Sequence, residues 1–193
     1  MQTVRELTPV RAEPRDDAEQ VTELLAGEPL AVEAQRGDGW ARIRTAYDYP
    51  GWIRAEALGG VLDLEWLEER SGDPVEEARS YLGARYRWGG LTEKGIDCSG
   101  LVHIAHRRLG RLVPRDAHQQ EQAGRELGER ELAPGDLITY GDEERADHVA
   151  FWLGGGRILH ATQREGVDGV LEEAEPEELR SRRRKLIRFQ TRN

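Results

Sequence analysis

A single cysteine, Cys98, stands in a chain of 193 residues, so an intramolecular disulfide is excluded and the lone thiol needs another explanation. No apolar run approaches the roughly 20 residues of a bilayer-spanning helix. The start, MQTVRELTPVRAEPRDD, has no apolar stretch of the kind a secretory signal carries, and as written it points to the cytoplasm. Positive charge is short as well. The 28 Lys and Arg against 37 Asp and Glu leave −9, the wrong sign for broad attraction to phosphate backbones or anionic lipid. Neither nucleic acid nor membrane is an expected partner. With 37% hydrophobic and 34% charged residues the chain has enough apolar material for a core, and its length allows one large domain or two small ones. No internal repeat suggests a solenoid or propeller.

From Val21 to Leu58, short bursts of period-two alternation (LLAGEPLAVEAQ, WARIRT, GWIRAEAL) are separated by turn signals such as Arg36-Gly37-Asp38-Gly39 and Tyr49-Pro50-Gly51. This spacing predicts a small β-barrel. Residues 59–72 change register, with Leu62, Leu64, Trp66 and Leu67 in an acidic stretch before Ser71-Gly72. The expected division is a front domain over 1–62, a linker over 63–72 and a second domain over 73–193. Asp73 can cap a helix with Pro74 at its first turn, placing Val75, Ala78 and Leu82 on one side before Gly83. A second helix runs from Cys98 to Gly110. After a loop-rich middle come strand candidates over 136–140, 147–153 and 157–163. An acidic helix-like patch over 172–180, the basic run Arg182 to Lys185 and a last strand over 185–190 follow. Helices first and antiparallel strands later make an α+β layout.

Cys98 opens the second helix on the side of Leu101, Val102, Ala105 and Leu109, where free backbone N–H groups and the helix dipole favour a thiolate. A free cysteine is often only a small buried hydrophobe. The polar, turn-forming frame of Gly95, Asp97, Ser99 and Gly100 suits a reactive group better. A catalytic thiol needs a base. A three-residue turn centred on Gly155 puts His160 opposite Ala150 and His148 opposite Thr162, so both rings share one sheet face at diagonal positions. A two-residue turn or a bulge would separate them. His103 and His106, three residues apart, could suggest a metal, but His103 points away from Cys98 and both read as surface or flanking residues. His118 reads as part of a polar loop that could touch substrate.

The ordered motifs Tyr86-Arg87-Trp88-Gly89-Gly90, Gly95-Ile96-Asp97-Cys98-Ser99-Gly100, Pro114-Arg115-Asp116-Ala117-His118-Gln119-Gln120, Pro134-Gly135-Asp136-Leu137, His148-Val149-Ala150 and His160-Ala161 resemble the NlpC-type cell-wall cysteine peptidases. These are papain-like enzymes, and the likeness covers about residues 73–193. The front segment, with Thr22-Glu23-Leu24-Leu25, Gly27-Glu28 and Tyr49-Pro50-Gly51-Trp52, is similar to bacterial SH3-like domains. The resemblance implies Cys98 as nucleophile, His148 as base and acid, His160 as the residue orienting it, and Tyr86 as an oxyanion contact. It implies cleavage between γ-D-glutamate and the L-side of a diamino acid. A subgroup with SH3-like domains and no export signal trims free peptides beginning with L-Ala during wall recycling. Its amine-holding positions match Asp116, Tyr49 and Glu23, with Glu28 as the alternative acid, and Asp97, Ser99 and Arg115 line the same groove. Ala117 departs from the pattern, which has a serine there. No metal or cofactor is implied, the partner is a murein tripeptide or longer stem peptide, and a monomer is expected. The rival readings are a hydrolase of the wall polymer, an acyltransferase or amidase on the same scaffold, and a wall-binding module.

Overall fold

Period-two burial organises the front of the chain. In the strand Trp40–Thr45, Ala41, Ile43 and Thr45 turn inward while Arg42 is exposed. The computed structural model describes residues 2–63 and 68–190. Among them, β1 (Gln2–Thr3), β2 (Thr8–Arg11), β3 (Gln20–Leu24), β4 (Pro29–Gln35), β5 (Trp40–Thr45) and β6 (Pro50–Arg54) form an antiparallel sheet in the order β1-β4-β5-β6-β2-β3. It encloses Val4, Val10, Leu24, Leu30, Ala41, Ile43 and Ile53. No ladder joins β1 to β3, so the expected barrel is a curled sheet that backbone pairing does not close. Leu64, Trp66 and Leu67 lie outside the described residues.

The second lobe begins with α1 (Pro74–Arg79), whose N-cap Asp73 accepts from the Val75 N–H. Then come β7 (Leu91–Thr92), β8 (Gly95–Ile96), α2 (Cys98–Arg107) and α3 (Ala117–Ala123). The remaining elements are β9 (Arg125–Glu126), β10 (Leu137–Gly141), β11 (Ala146–Gly154), β12 (Arg157–Arg164), β13 (Val167–Ala174), α4 (Glu177–Arg180) and β14 (Arg183–Arg188). The large sheet runs β13-β12-β11-β10-β14-β9. Leu137, Val149, Phe151, Leu159 and Ala161 pack with Val75, Ala78, Leu101, Val102 and Ala105 of the helices. On the other side, Ile138, Tyr140, Ala150, Ile158 and Leu186 form a second cluster with Leu127.

The helix predicted to reach Gly83 stops at Arg79, which leaves Leu82 48% exposed. The stretch read as an acidic helix-like patch is split: Glu172–Ala174 end β13, and Glu177–Arg180 form the short helix α4. Its carboxylates tolerate the strand because cations meet them: Arg79 donates to Glu172 at 2.6 Å, and Arg164 to Glu173 at 2.6 Å. The loop-rich middle contains α3, so His118 lies on a helix; the Gln119 side chain reaches back to the Asp116 N–H and fixes its start. His103 and His106 are buried, not peripheral. The front lobe covers the side of α2 that its periodicity assigns to solvent, and the Tyr47 ring sits 4.3 Å from that of His103.

The lobes meet along the Arg87-Trp88-Gly89 segment. Arg87 donates to the Gln20 side chain at 3.0 Å, Trp88 to Glu19 at 2.7 Å, and the Gln20 amide to the Gly89 carbonyl at 3.1 Å. Gly89 has φ +70°, and a Cβ there would stand 2.5 Å from the Gln20 carbonyl oxygen. Gly89→Ala is therefore expected to destabilise the protein by about 1–3 kcal/mol through strain and lobe displacement. Chemical denaturation beside the wild type checks this, and an unchanged midpoint would contradict the close approach.

Candidate active site

Cys98 is the first residue of α2, and Asp97 is its N-cap, accepting from the Gly100 N–H at 2.6 Å. Arg115 grips the same carboxylate with both terminal nitrogens, at 2.9 and 2.7 Å. Its Nε donates to the Thr22 hydroxyl of the front lobe at 3.0 Å, and its remaining contacts are Ser99 Oγ at 3.1 Å and the Gly90 carbonyl at 3.4 Å. The second oxygen of Asp97 also accepts from the Gly89 N–H at 2.7 Å. Asp97, Ser99 and Arg115, expected to line a groove, are instead buried and turned on one another. They hold the nucleophile's helix in place.

The glycine turn carries the histidines into register by two compensating departures. Gly155 and Gly156, with φ of 59° and 77°, make a two-residue turn of primed sense, and a bulge at Leu153 inserts one residue into β11. Together they restore the pairs Phe151↔Leu159 and Trp152↔Ile158, the register of a turn centred on Gly155. Beyond Phe151 the two strands no longer pair, and the Val149 amide acts against the rise of the Cys98 thiol. His148 Nε2 and His160 Nδ1 are 2.8 Å apart. His160 Nε2 in turn lies 2.8 Å from Glu173 Oε1.

Burial, followed by Asp97, pushes the Cys98 thiol up to about 12 against the opposing Val149 and Ser99 amides. Burial draws His148 down to about 3, with His160 and the nearby arginines acting the same way. At rest Cys98 is thus a thiol and His148 a neutral imidazole, although the sequence argument favoured a thiolate. Tyr86 is held protonated by burial and then by the charges of Cys98 and Asp97, so its hydroxyl remains a donor.

Across the lobes, the Tyr49 hydroxyl donates to both oxygens of Asp116, at 3.2 and 3.0 Å. Burial raises the Asp116 carboxyl, with Arg115 and Tyr49 opposing. Glu23 is almost wholly buried and already accepts from the Leu91 N–H at 2.9 Å and the Gln20 amide at 3.4 Å. The structure places it in the lobe contact. Glu28 is taken too: one of its oxygens accepts from the Leu25 N–H at 3.0 Å and the other faces Arg107 at 3.7 Å. His103 and His106 contact the carbonyls of Val113 and Val102 at 2.8 and 3.0 Å, and no cluster among the described residues is arranged to hold a metal. Glu173 escaped the sequence reading. The Glu165-Gly166 turn was its signal, because a two-residue hairpin there sets Glu173 opposite Ile158.

Asp97→Ala removes the helix cap and leaves a buried guanidinium unpaired, which is expected to cost about 3–5 kcal/mol in denaturant unfolding. The raised thiol predicts that alkylation of Cys98 by iodoacetamide keeps accelerating, roughly tenfold per pH unit, through the alkaline range. A rate that levels off near neutrality would show a stabilised thiolate instead.

The family described as NlpC/P60 matches residues 83–183, and that described as the bacterial dipeptidyl-peptidase Sh3 domain matches residues 10–58. The gamma-D-glutamyl-L-lysine dipeptidyl-peptidase of Bacillus subtilis is 35% identical over 92 residues, 46% of this chain and 31% of that protein. The murein DD-endopeptidase MepS/murein LD-carboxypeptidase of Escherichia coli is 34% identical over 94 residues, 48% of this chain and 50% of that protein. The chain thus spans half or less of the length of these relatives. The crystal structure of an NlpC/P60 family protein from Bacillus cereus superposes with a TM-score of 0.60 at 20% identity, covering 97% of this chain and 62% of that one. The matched ranges contain the thiol-bearing helix, the histidine hairpin and the front sheet from the end of β2 onward, and the chain belongs to the NlpC/P60 family, with a papain-like lobe behind an SH3-type one.

Proposed function

We propose that the protein is a cysteine endopeptidase that hydrolyses the γ-D-glutamyl–L-diamino acid bond of short peptidoglycan-derived peptides with a free N-terminal L-Ala, as in recycling of wall fragments. The observation that carries this reading is the Tyr49–Asp116 pair, which joins the two lobes one residue after Arg115, the partner of the Asp97 helix cap, and leaves a partly buried carboxylate at their boundary. Such a carboxylate suits one ammonium group of a peptide start. The names of the Bacillus subtilis relative and of the front domain's family agree with dipeptide release.

In this mechanism Cys98 attacks the γ-glutamyl carbonyl as His148 takes the thiol proton. The oxyanion meets the Cys98 N–H, one of the free amides of the first helical turn, and the Tyr86 hydroxyl. His148 then protonates the departing diamino-acid amine, and a water deprotonated by the same ring releases the thioester.

Mass spectrometry of L-alanyl-γ-D-glutamyl-diaminopimelate beside its N-acetylated copy tests the reading. Cleavage of the free peptide alone is expected. Equal cleavage of both would instead indicate a hydrolase of the wall polymer, and cleavage of neither would favour acyl transfer to another amine or simple wall binding. Cys98→Ala and His148→Ala should each reduce turnover by a factor of about 1000 or more while the protein stays folded; near-normal rates in Cys98→Ala would remove the thiol from the chemistry.

A further inference from the structure

Glu173 lies on β13 opposite Ile158, so it is diagonal to His160 on the same sheet face. Its Oε1 faces His160 Nε2 at 2.8 Å, and its Oε2 accepts from Arg164 at 2.6 Å. Burial raises the Glu173 carboxyl, but Arg164 and His160 bring it below its ordinary value, so it is ionised at neutral pH. An ionised carboxylate only accepts, which requires the hydrogen on His160 Nε2. Burial also keeps His160 neutral, so its lone pair sits on Nδ1. That lone pair faces His148 Nε2 at 2.8 Å, which must then carry the hydrogen of the second ring. The lone pair of His148 is left on Nδ1.

We propose that Glu173, braced by Arg164, is a positioning residue that locks both histidines in the tautomers that leave His148 Nδ1 as the base. The inference rests on the reading in which His148 takes the Cys98 proton. On attack, the Sγ–H proton passes to Nδ1, the sulfur electron pair forms the C–S bond, and the carbonyl π pair moves to oxygen. The new positive charge on His148 stands two hydrogen bonds from the Glu173 carboxylate.

Arg164 makes the test directional. In Glu173→Gln the guanidinium draws the amide oxygen, which turns the NH2 group towards His160 Nε2. Both rings must then reverse their tautomers, and His148 Nδ1 becomes protonated. The expected result is a fall in kcat of about 100-fold or more with KM within about threefold and the melting temperature retained. Adding Arg164→Met frees the amide to turn back and should recover at least about tenfold. Imidazole nitrogen chemical shifts read the tautomers directly: an unprotonated His148 Nδ1 is expected in the wild type and a protonated one in Glu173→Gln. A wild type protonated at His148 Nδ1, or a Glu173→Gln variant with unaltered tautomers, would overturn the proposal. A wild type that leaves the tripeptide uncut yet shows the expected shifts supports the tautomer lock and sinks only the substrate reading.

Discussion

The buried ion pair between Asp97 and Arg115 is the constraint on which the rest of the site depends. Asp97 caps the helix that begins at Cys98, and Arg115 fixes that cap while its Nε reaches Thr22 in the other lobe. One guanidinium thereby sets the position of the nucleophile, the course of the Gly89-Gly90 segment and the seat of the front sheet. Burying these charges is tolerable because every oxygen of the carboxylate has donors and the fork is filled on each side. Asp116, the residue after Arg115, is carried to the lobe boundary by the same geometry and meets Tyr49 there.

The whole of α2 is enclosed, with sheet and helices on one side and the front lobe on the other. That enclosure keeps Cys98 a thiol and His148 a neutral ring, so charge separation belongs to the reaction and not to the resting state. A charge created in a dry site needs prepared partners, and the line His148, His160, Glu173, Arg164 supplies alternating donors and acceptors for it.

Much of this was legible in the residues. The Cys98 frame gave the nucleophile and its place at a helix start, though not Asp97 as the cap, and the glycines after Leu153 gave the face shared by His148 and His160. The expected register holds as far as Phe151↔Leu159, since a two-residue turn and a bulge each shift the ladder by one and cancel, but the ladder ends before the expected pairs His160–Ala150 and His148–Thr162. Other features were hidden for stated reasons. The acidic run over 172–173 looked helical because its neutralising arginines come from other elements, Arg79 from α1 and Arg164 from the neighbouring strand, and α3 was missed because its apolar positions are few and Gln120 is buried for its hydrogen bonds to Ser99 and Pro114.

By itself the sequence determined the front strands, the strands over 137–164, the thiol at a helix start and the sheet face shared by two histidines, because each follows from short-range periodicity and turn chemistry. Only the tertiary structure decided the fate of Asp97, Arg115 and Glu23, which look like groove residues in sequence and are consumed in holding the lobes together. It also decided the burial of His103 and His106 and the placement of Glu173 behind His160. Those outcomes depend on which surfaces meet, and a second lobe packed on α2 changes a polar face into an interior without altering a single local signal.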